Sequence, residues 1–388
     1  MKSVVVFGAG SVGRGFIGQI FSEAGWQVTF VDVDQDLVAA LRTGSYRHAT
    51  VSDDAVVTTT VNHVTAIDGR NAPDEATAAV AAADFVATAV GAAQLPRIAP
   101  MLADGIAHRA GRPLDILLAE NLHDADGVAR ALVAAQLADP DALETVGFVR
   151  ASIGRMIPVP TAEQRAADPS WIAVEPYREL PYDIVACRAE PPDVPDLVGR
   201  TDIPFSFYAD RKLYVHNLGH CLTAYLGELS GFDEIAPSIR HPQIRALVEA
   251  TMTATEAALA DEYGAATGDV ESHSADLLAR FANTALHDSV ERVGRDPERK
   301  LADGDRFLGG HALAARHGRS RPVTVAVAVG AHRLLAGLPE ERRAAELARL
   351  RHAAKSEGGA EDQSILDASL ASLSRGVNLA ELLELAGG

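Results

Sequence analysis

Two halves of unlike character predict an α/β N-terminal domain, built on a doubly wound and mostly parallel sheet, followed by a mostly α-helical C-terminal domain. Three observations carry this expectation. Short apolar runs alternate with helical patterns through the first half, as in a sheet whose strands are buried on both faces. The first of these runs leads straight into a glycine-rich turn. Beyond about residue 204, long helical periodicities replace the strand pattern. At 388 residues the chain is too long for one ordinary core. The proline- and aspartate-rich stretch Pro191-Pro192-Asp193-Val194-Pro195-Asp196 marks the boundary, giving domains over 1–197 and 198–388.

Taken in order, Ser3-Val4-Val5-Val6-Phe7 is a short buried-strand run. It enters Gly8-Ala9-Gly10-Ser11-Val12-Gly13, and a helical pattern follows through Phe16, Ile17, Ile20 and Phe21. A second strand, Gln27-Val28-Thr29-Phe30-Val31, ends on Asp32. Strand, glycine turn, helix, strand and acidic residue together form the full dinucleotide fingerprint of a Rossmann-type domain. Gly8 allows the tight turn, Gly10 admits the pyrophosphate, and Gly13 permits close helix–strand packing. The helix N-terminus faces the phosphate charge. Asp32 suits a ribose 2′-hydroxyl and repels a 2′-phosphate, so the expected cofactor is NAD; Arg14 is the residue that could relax this preference. Phe7 and residues Gly8 to Gly13 are thus candidate cofactor-binding residues, with Asp32.

Asp84 to Val90 is a further strand ending at Gly91, so Val90 and Gly91 are expected to pass over the nicotinamide side. Leu114 to Ala119 is another, ending on Glu120-Asn121. Strand carboxyl ends face the ligand crevice of such a sheet, which makes Glu120 a candidate for the cofactor and Asn121 for the substrate. Asparagine in a turn also serves backbone hydrogen bonds. Val146–Arg150 and Trp171–Glu175 read as strands, and the proline-rich 158–181 stretch as extended structure and turns. Helices are expected over 210–228, 241–262, 272–283, 322–337, 340–355 and from 363 onward.

The formal net charge of −18 argues against nucleic acid or an anionic membrane as partner. Two cysteines, Cys187 and Cys221, make no disulfide framework. No apolar run approaches the roughly 20 residues that span a bilayer. With no leader-like segment before the first strand, a cytoplasmic protein acting on a small molecule is expected. An anionic substrate would then need a local basic pocket. Arg292, Arg295, Arg299, Lys300 and Arg306 place five of the 35 Lys and Arg residues within 15 positions. They read equally as a solvated loop of ion pairs with Glu291, Asp296 and Glu298, or as an anion clamp.

The chemistry is expected in Asp210-Arg211-Lys212-Leu213-Tyr214-Val215-His216-Asn217-Leu218-Gly219-His220. At 100° per residue, Lys212, His216 and His220 fall in steps of roughly 40°, with Asn217 about 60° beyond His220. Tyr214, Val215, Leu218, Leu222, Tyr225 and Leu226 occupy the opposite arc. The polar face is either solvated or catalytic. No zinc-spaced Cys, His and Glu set accompanies the fingerprint, so no metal is expected. No tyrosine has a lysine four residues later. A hydride-transferring enzyme here needs another base, and Lys212 is the natural candidate.

Gly8 to Gly18, the Glu120-Asn121 turn and Lys212-x4-Asn217-x2-His220 together resemble the polyol-specific long-chain dehydrogenases, from residue 1 through the C-terminal helices. The resemblance implies a metal-independent, NAD-linked oxidoreductase that interconverts mannitol 1-phosphate and fructose 6-phosphate, the 290–306 segment pointing to the phosphate. It implies Lys212 as general base in oxidation and acid in reduction. Asn121 and Asn217 become an amide pair on the substrate oxygen, and His220 an orienting partner. Arg295, Lys300, Arg306 and His216 are the candidate substrate-binding residues. The acidic loop Asp124-Ala125-Asp126 favours the alternative of an unphosphorylated polyol or a hexuronate.

Overall fold

The apolar runs of the first half close into a six-stranded parallel sheet. A computed structural model describes every residue except Asn121, His123, Ala266 and Gly388, and the backbone alone for 267–272. The chain divides into two units, Met1–Phe205 and Ser206–Gly388.

In the first unit the strands are β1 (Ser3–Phe7), β2 (Gln27–Asp32), β3 (Tyr46–Val51), β4 (Val56–Val61), β5 (Val64–Asp68), β6 (Phe85–Thr88), β7 (Leu114–Leu118), β8 (Val146–Arg150), β9 (Ile172–Val174), β10 (Leu180–Tyr182) and β11 (Leu197–Gly199). The main sheet runs β5-β2-β1-β6-β7-β8, all parallel. The order reverses on either side of β1, a topological switch point where such sheets bind ligands beyond the strand ends. Both faces are covered, which is why the strands read as unbroken apolar runs. Val4 and Val6 pack with Phe16, Ile20 and Phe30, while Val5 and Phe7 pack with Val86, Leu102 and Ile116. Each fully buried side chain of this size contributes about 2 kcal/mol.

The first helix opens as a π-helix over Gly13–Gly18 before continuing as α-helix through Glu23. Its loosened carbonyls are taken up by side chains. The Tyr46 hydroxyl donates to the Arg14 carbonyl (2.6 Å) and Arg155 Nη1 to that of Gly15 (3.0 Å).

Three differences from the sequence expectation have local causes. Trp171–Glu175 does yield a strand, β9, but it pairs with β3 in a separate three-stranded sheet, β4-β3-β9. Within the proline-rich stretch, Ala162–Ala167 is helical because Thr161 and Gln164 form a capping box. The boundary falls after Phe205 because the stretch past residue 196 folds back, β11 pairing with β10.

The second unit is helical, with long elements over Pro242–Tyr263, Thr267–Phe281, Arg306–Arg316, Arg321–Gly337 and Glu340–Arg375. The last of these breaks at Gly359, whose φ of +78° is non-helical. The expected 210–228 helix exists but is not uniform. Phe205–Arg211 and Leu218–Leu229 are α-helical, and Lys212–Asn217 between them is a π-helix. Val215, Leu218, Leu222, Tyr225 and Leu226 are buried as expected, but so are His216, Thr223, Ala224 and Gly227 of the expected polar side, so the run is enclosed rather than half-exposed. Among the described residues, no helix is long and apolar enough to cross a membrane.

Candidate active site

At the carboxyl end of β1, Gly8 has φ +93°, and a Cβ there would strike the Ala89 carbonyl. A Cβ on Gly13 would collide with the Gly8 carbonyl, whereas Gly10 faces open space. The turn is therefore packed underneath and open above. Over it lies a cavity of about 390 Å³ whose lining includes Phe7, Gly8, Gly10, Asp32 and Val90. Asp32 Oδ2 accepts the Ala9 N–H (2.6 Å), and Oδ1 accepts those of Val33 (2.7 Å) and Asp34 (3.1 Å). The carboxylate thus braces the turn beside the cavity. Ser11 and Val12 lead into the π-helix and are not part of this lining.

Glu120 does not line the cavity either; it fixes its rim. Its Oε1 accepts from Val90 N–H (3.1 Å) and its Oε2 from Gly91 N–H (2.7 Å), so a buried carboxylate pins the turn after β6. Asn121 lies outside the described residues. Arg14, which could have met a 2′-phosphate, is buried, with Nη1 donating to the Pro169 carbonyl (2.8 Å). Arg70 and Arg97 line the cavity instead. Neither belongs to a recognisable pattern, so only the fold brings them forward. The packed turn, open Gly10 position and braced carboxylate fit a dinucleotide.

In the second unit, Lys212, His216, Asn217 and His220 lie on one helical run. The π-helix matters to their arrangement. Its backbone bonds span five residues, so Lys212 and Asn217, five apart, are drawn toward one face. A regular α-helix would splay them by about 140°. Burial, aided by the Arg306 guanidinium, pulls the Lys212 ammonium down to about 8. An amine titrating there can exchange protons near neutral pH.

His216 and His220 have ring centroids 6.0 Å apart, and both rings lie against Phe281, at 5.6 Å and 4.8 Å. His216 is buried, and desolvation, helped by Arg280, His220, His273 and Lys212, holds it well below the usual histidine range. Its ring packs on Phe281 beside that of His220. His220 Nε2 sits 3.0 Å from Asp288 Oδ2.

The basic run divides. Arg292 donates to Asp288 (2.8 and 2.5 Å). Arg299 and Arg306 both reach Asp305, at 3.4 and 2.9 Å. Lys300, expected at a ligand, is buried, with its ammonium on the Val293 carbonyl and 5.9 Å from the centre of the Tyr225 ring. Its stem is apolar enough to be buried while the head finds a carbonyl. Arg295 is exposed, with a long 3.4 Å contact from Nε to the Arg292 carbonyl. Of the loop carrying Asp124 and Asp126, the latter lies 3.7 Å from Arg150.

The fold is shared with solved dehydrogenases. Mannitol 2-dehydrogenase of Pseudomonas fluorescens, solved as a ternary complex with NAD and D-mannitol, matches with a TM-score of 0.72 and 17% identity, over 99% of this chain and 94% of that one. A D-sorbitol dehydrogenase in substrate-free form matches with a TM-score of 0.77 and 15% identity, over 99% and 94%. The family model of the mannitol dehydrogenase Rossmann domain matches residues 2–194, and that of the mannitol dehydrogenase C-terminal domain matches residues 205–344. Together they cover most of the chain in the order the sequence leads one to expect, and the chain belongs to the mannitol dehydrogenase family.

Proposed function

We propose that the protein is an NAD-dependent polyol dehydrogenase, and specifically a mannitol-1-phosphate 5-dehydrogenase that interconverts mannitol 1-phosphate and fructose 6-phosphate. The observation that carries the reading is the buried Lys212, its ammonium pulled down to about 8, with Asn217 five residues on in the same π-helix. Phe7, Gly8, Gly10, Asp32 and Val90 would hold NAD, with Ala9, Gly91 and Glu120 shaping the turns around it. Bound there, NAD supplies the hydride acceptor. Lys212 as free amine removes the proton from the reacting hydroxyl, and as ammonium returns it in ketose reduction. The side-chain N–H of Asn217 donates to the substrate oxygen as negative charge develops, and the resemblance gives Asn121 the same role. His220 orients a neighbouring hydroxyl.

Support for a phosphorylated substrate comes from the exposed Arg295 and from Arg306, whose charge reaches Lys212 while its Nε is held on Asp305. A second reading, an unphosphorylated polyol or a hexuronate, is favoured by the internal engagement of Arg292, Arg299 and Lys300. NADH consumption with fructose 6-phosphate, fructose, tagaturonate and fructuronate separates the two. Turnover of fructose but not its 6-phosphate defeats the first reading. On that reading Arg295→Ala raises KM for fructose 6-phosphate by about tenfold, the worth of a charge-assisted hydrogen bond. KM for NADH stays put, and an unchanged sugar-phosphate KM would return Arg295 to the solvent surface.

The lowered value of Lys212 gives a signed pH dependence. Oxidation needs the free amine, so its rate climbs about tenfold per pH unit below 8 and levels off above. Reduction needs the ammonium, so it holds level below 8 and declines above. Initial rates in both directions from pH 6 to 10.5 check this. A midpoint near the ordinary lysine value would deny Lys212 its desolvated setting.

A further inference from the structure

The loop bearing the basic run also carries Asp288, whose side chain is 9% exposed and sits between the Arg292 guanidinium and the His220 imidazole. Its Oδ1 accepts from Arg292 Nε (2.8 Å) and Nη2 (2.5 Å), and its Oδ2 faces His220 Nε2 at 3.0 Å. Burial alone would raise this carboxyl, but His220 and Arg292 outweigh burial and hold it below the usual carboxylate range. The surrounding backbone fixes it as well. The Ile235 N–H donates to the Asp288 carbonyl (2.9 Å), the Val290 N–H donates to that of Asp233 (2.9 Å), and Glu234 pairs with Ser289 as an antiparallel bridge. On the other side, the Phe281 ring stacks on His220 at 4.8 Å and 12°. His220 Nε2 is buried and lacks an aligned acceptor. Asp288 Oδ2, 3.0 Å away, is the acceptor that faces it.

We propose that Asp288 is a positioning residue: it accepts the Nε2–H of His220, fixes the imidazole in that tautomer, and so leaves Nδ1 as a hydrogen-bond acceptor for a polyol hydroxyl. Arg292 keeps the carboxylate ionised and aimed, and its guanidinium therefore belongs to Asp288 rather than to a substrate phosphate. Without the carboxylate the ring can rotate and exchange tautomers, and an Nδ1–H would present a donor where an acceptor is wanted. A carboxylate that orients an imidazole and selects its tautomer is a recurring device in catalysis. The proposal rests on the reading of His220 as the group that orients substrate.

The test uses full-length protein with 15N-labelled histidine, the His220 signals being assigned by their loss in His220→Gln. Wild type is expected to hold the Nε2–H tautomer, and Asp288→Asn to shift the population toward Nδ1–H, because an amide can donate to Nε2. In the same variant KM for the ketose rises by about tenfold while KM for NADH is unchanged, and Asp288→Glu recovers part of the loss. Arg292→Gln, at a half-exposed side chain, moves both readouts in the same direction by less, and it serves if Asp288→Asn does not fold. Unaltered His220 signals in Asp288→Asn overturn the proposal. So does a parallel rise of both KM values with a lowered Tm, which marks general loosening. If no ketose is turned over by wild type, the functional reading fails, and the tautomer measurement still decides the role of Asp288.

Discussion

Lys212→Ala is expected to cut kcat for polyol oxidation by about 100- to 10,000-fold, the usual worth of a positioned proton-transfer group. Two features make the loss this large. An ordinary lysine is almost wholly protonated at neutral pH and cannot act as a base, whereas burial and Arg306 bring this one to about 8. No other described residue on the run matches it, since His216 is held neutral in a buried setting and His220 faces a carboxylate. The cofactor cradle is built in the other unit from the β1 turn, Asp32 and the Val90–Gly91 turn. NADH affinity, read by fluorescence titration, is therefore expected to survive the substitution. A variant keeping more than about a tenth of the rate would put the proton on another group. Lys212→Arg should be no better than alanine, because a guanidinium stays charged throughout the working range.

The parts of the molecule that chemistry constrains tightly are legible in the chain. A dinucleotide turn demands a strand before it, glycines within it and an acid after the next strand, and β1, Gly8 to Gly13, β2 and Asp32 appear in that order. The π-helix at Lys212–Asn217 is not legible, because periodicity reasoning assumes a constant 100° per residue. The same assumption gives no sign that His216 is buried, against the Phe281 ring that also covers His220. Lys300 misleads for a different reason. Charge density in sequence suggests an anion, but a lysine stem can be buried over Tyr225 if its head finds a carbonyl. Asp288 carries no signal at all, since its meaning comes from His220, a residue far upstream that only the fold brings near.

Asn217→Ala is expected to lower kcat by about 100- to 1,000-fold with little change in KM for the sugar, as for loss of one donor to a developing oxyanion. The asymmetry follows from when the interaction matters. In the ground state the amide meets a neutral hydroxyl, and its hydrogen bond is worth no more than water's. As the proton leaves toward Lys212 the oxygen becomes charged, and a fixed N–H strengthens without reorganising. The π-helix is what lets one backbone segment present base and donor on the same face. An amide five residues along a regular helix would point well away. Asn217→Asp should be worse than alanine, because it sets a carboxylate beside the forming alkoxide and also favours the charged ammonium of Lys212. The pH midpoint of residual oxidation then rises in the aspartate variant and stays near 8 in the alanine variant. Equal midpoints in the two variants would separate Asn217 from Lys212, and a loss confined to KM would make the amide a binding group instead.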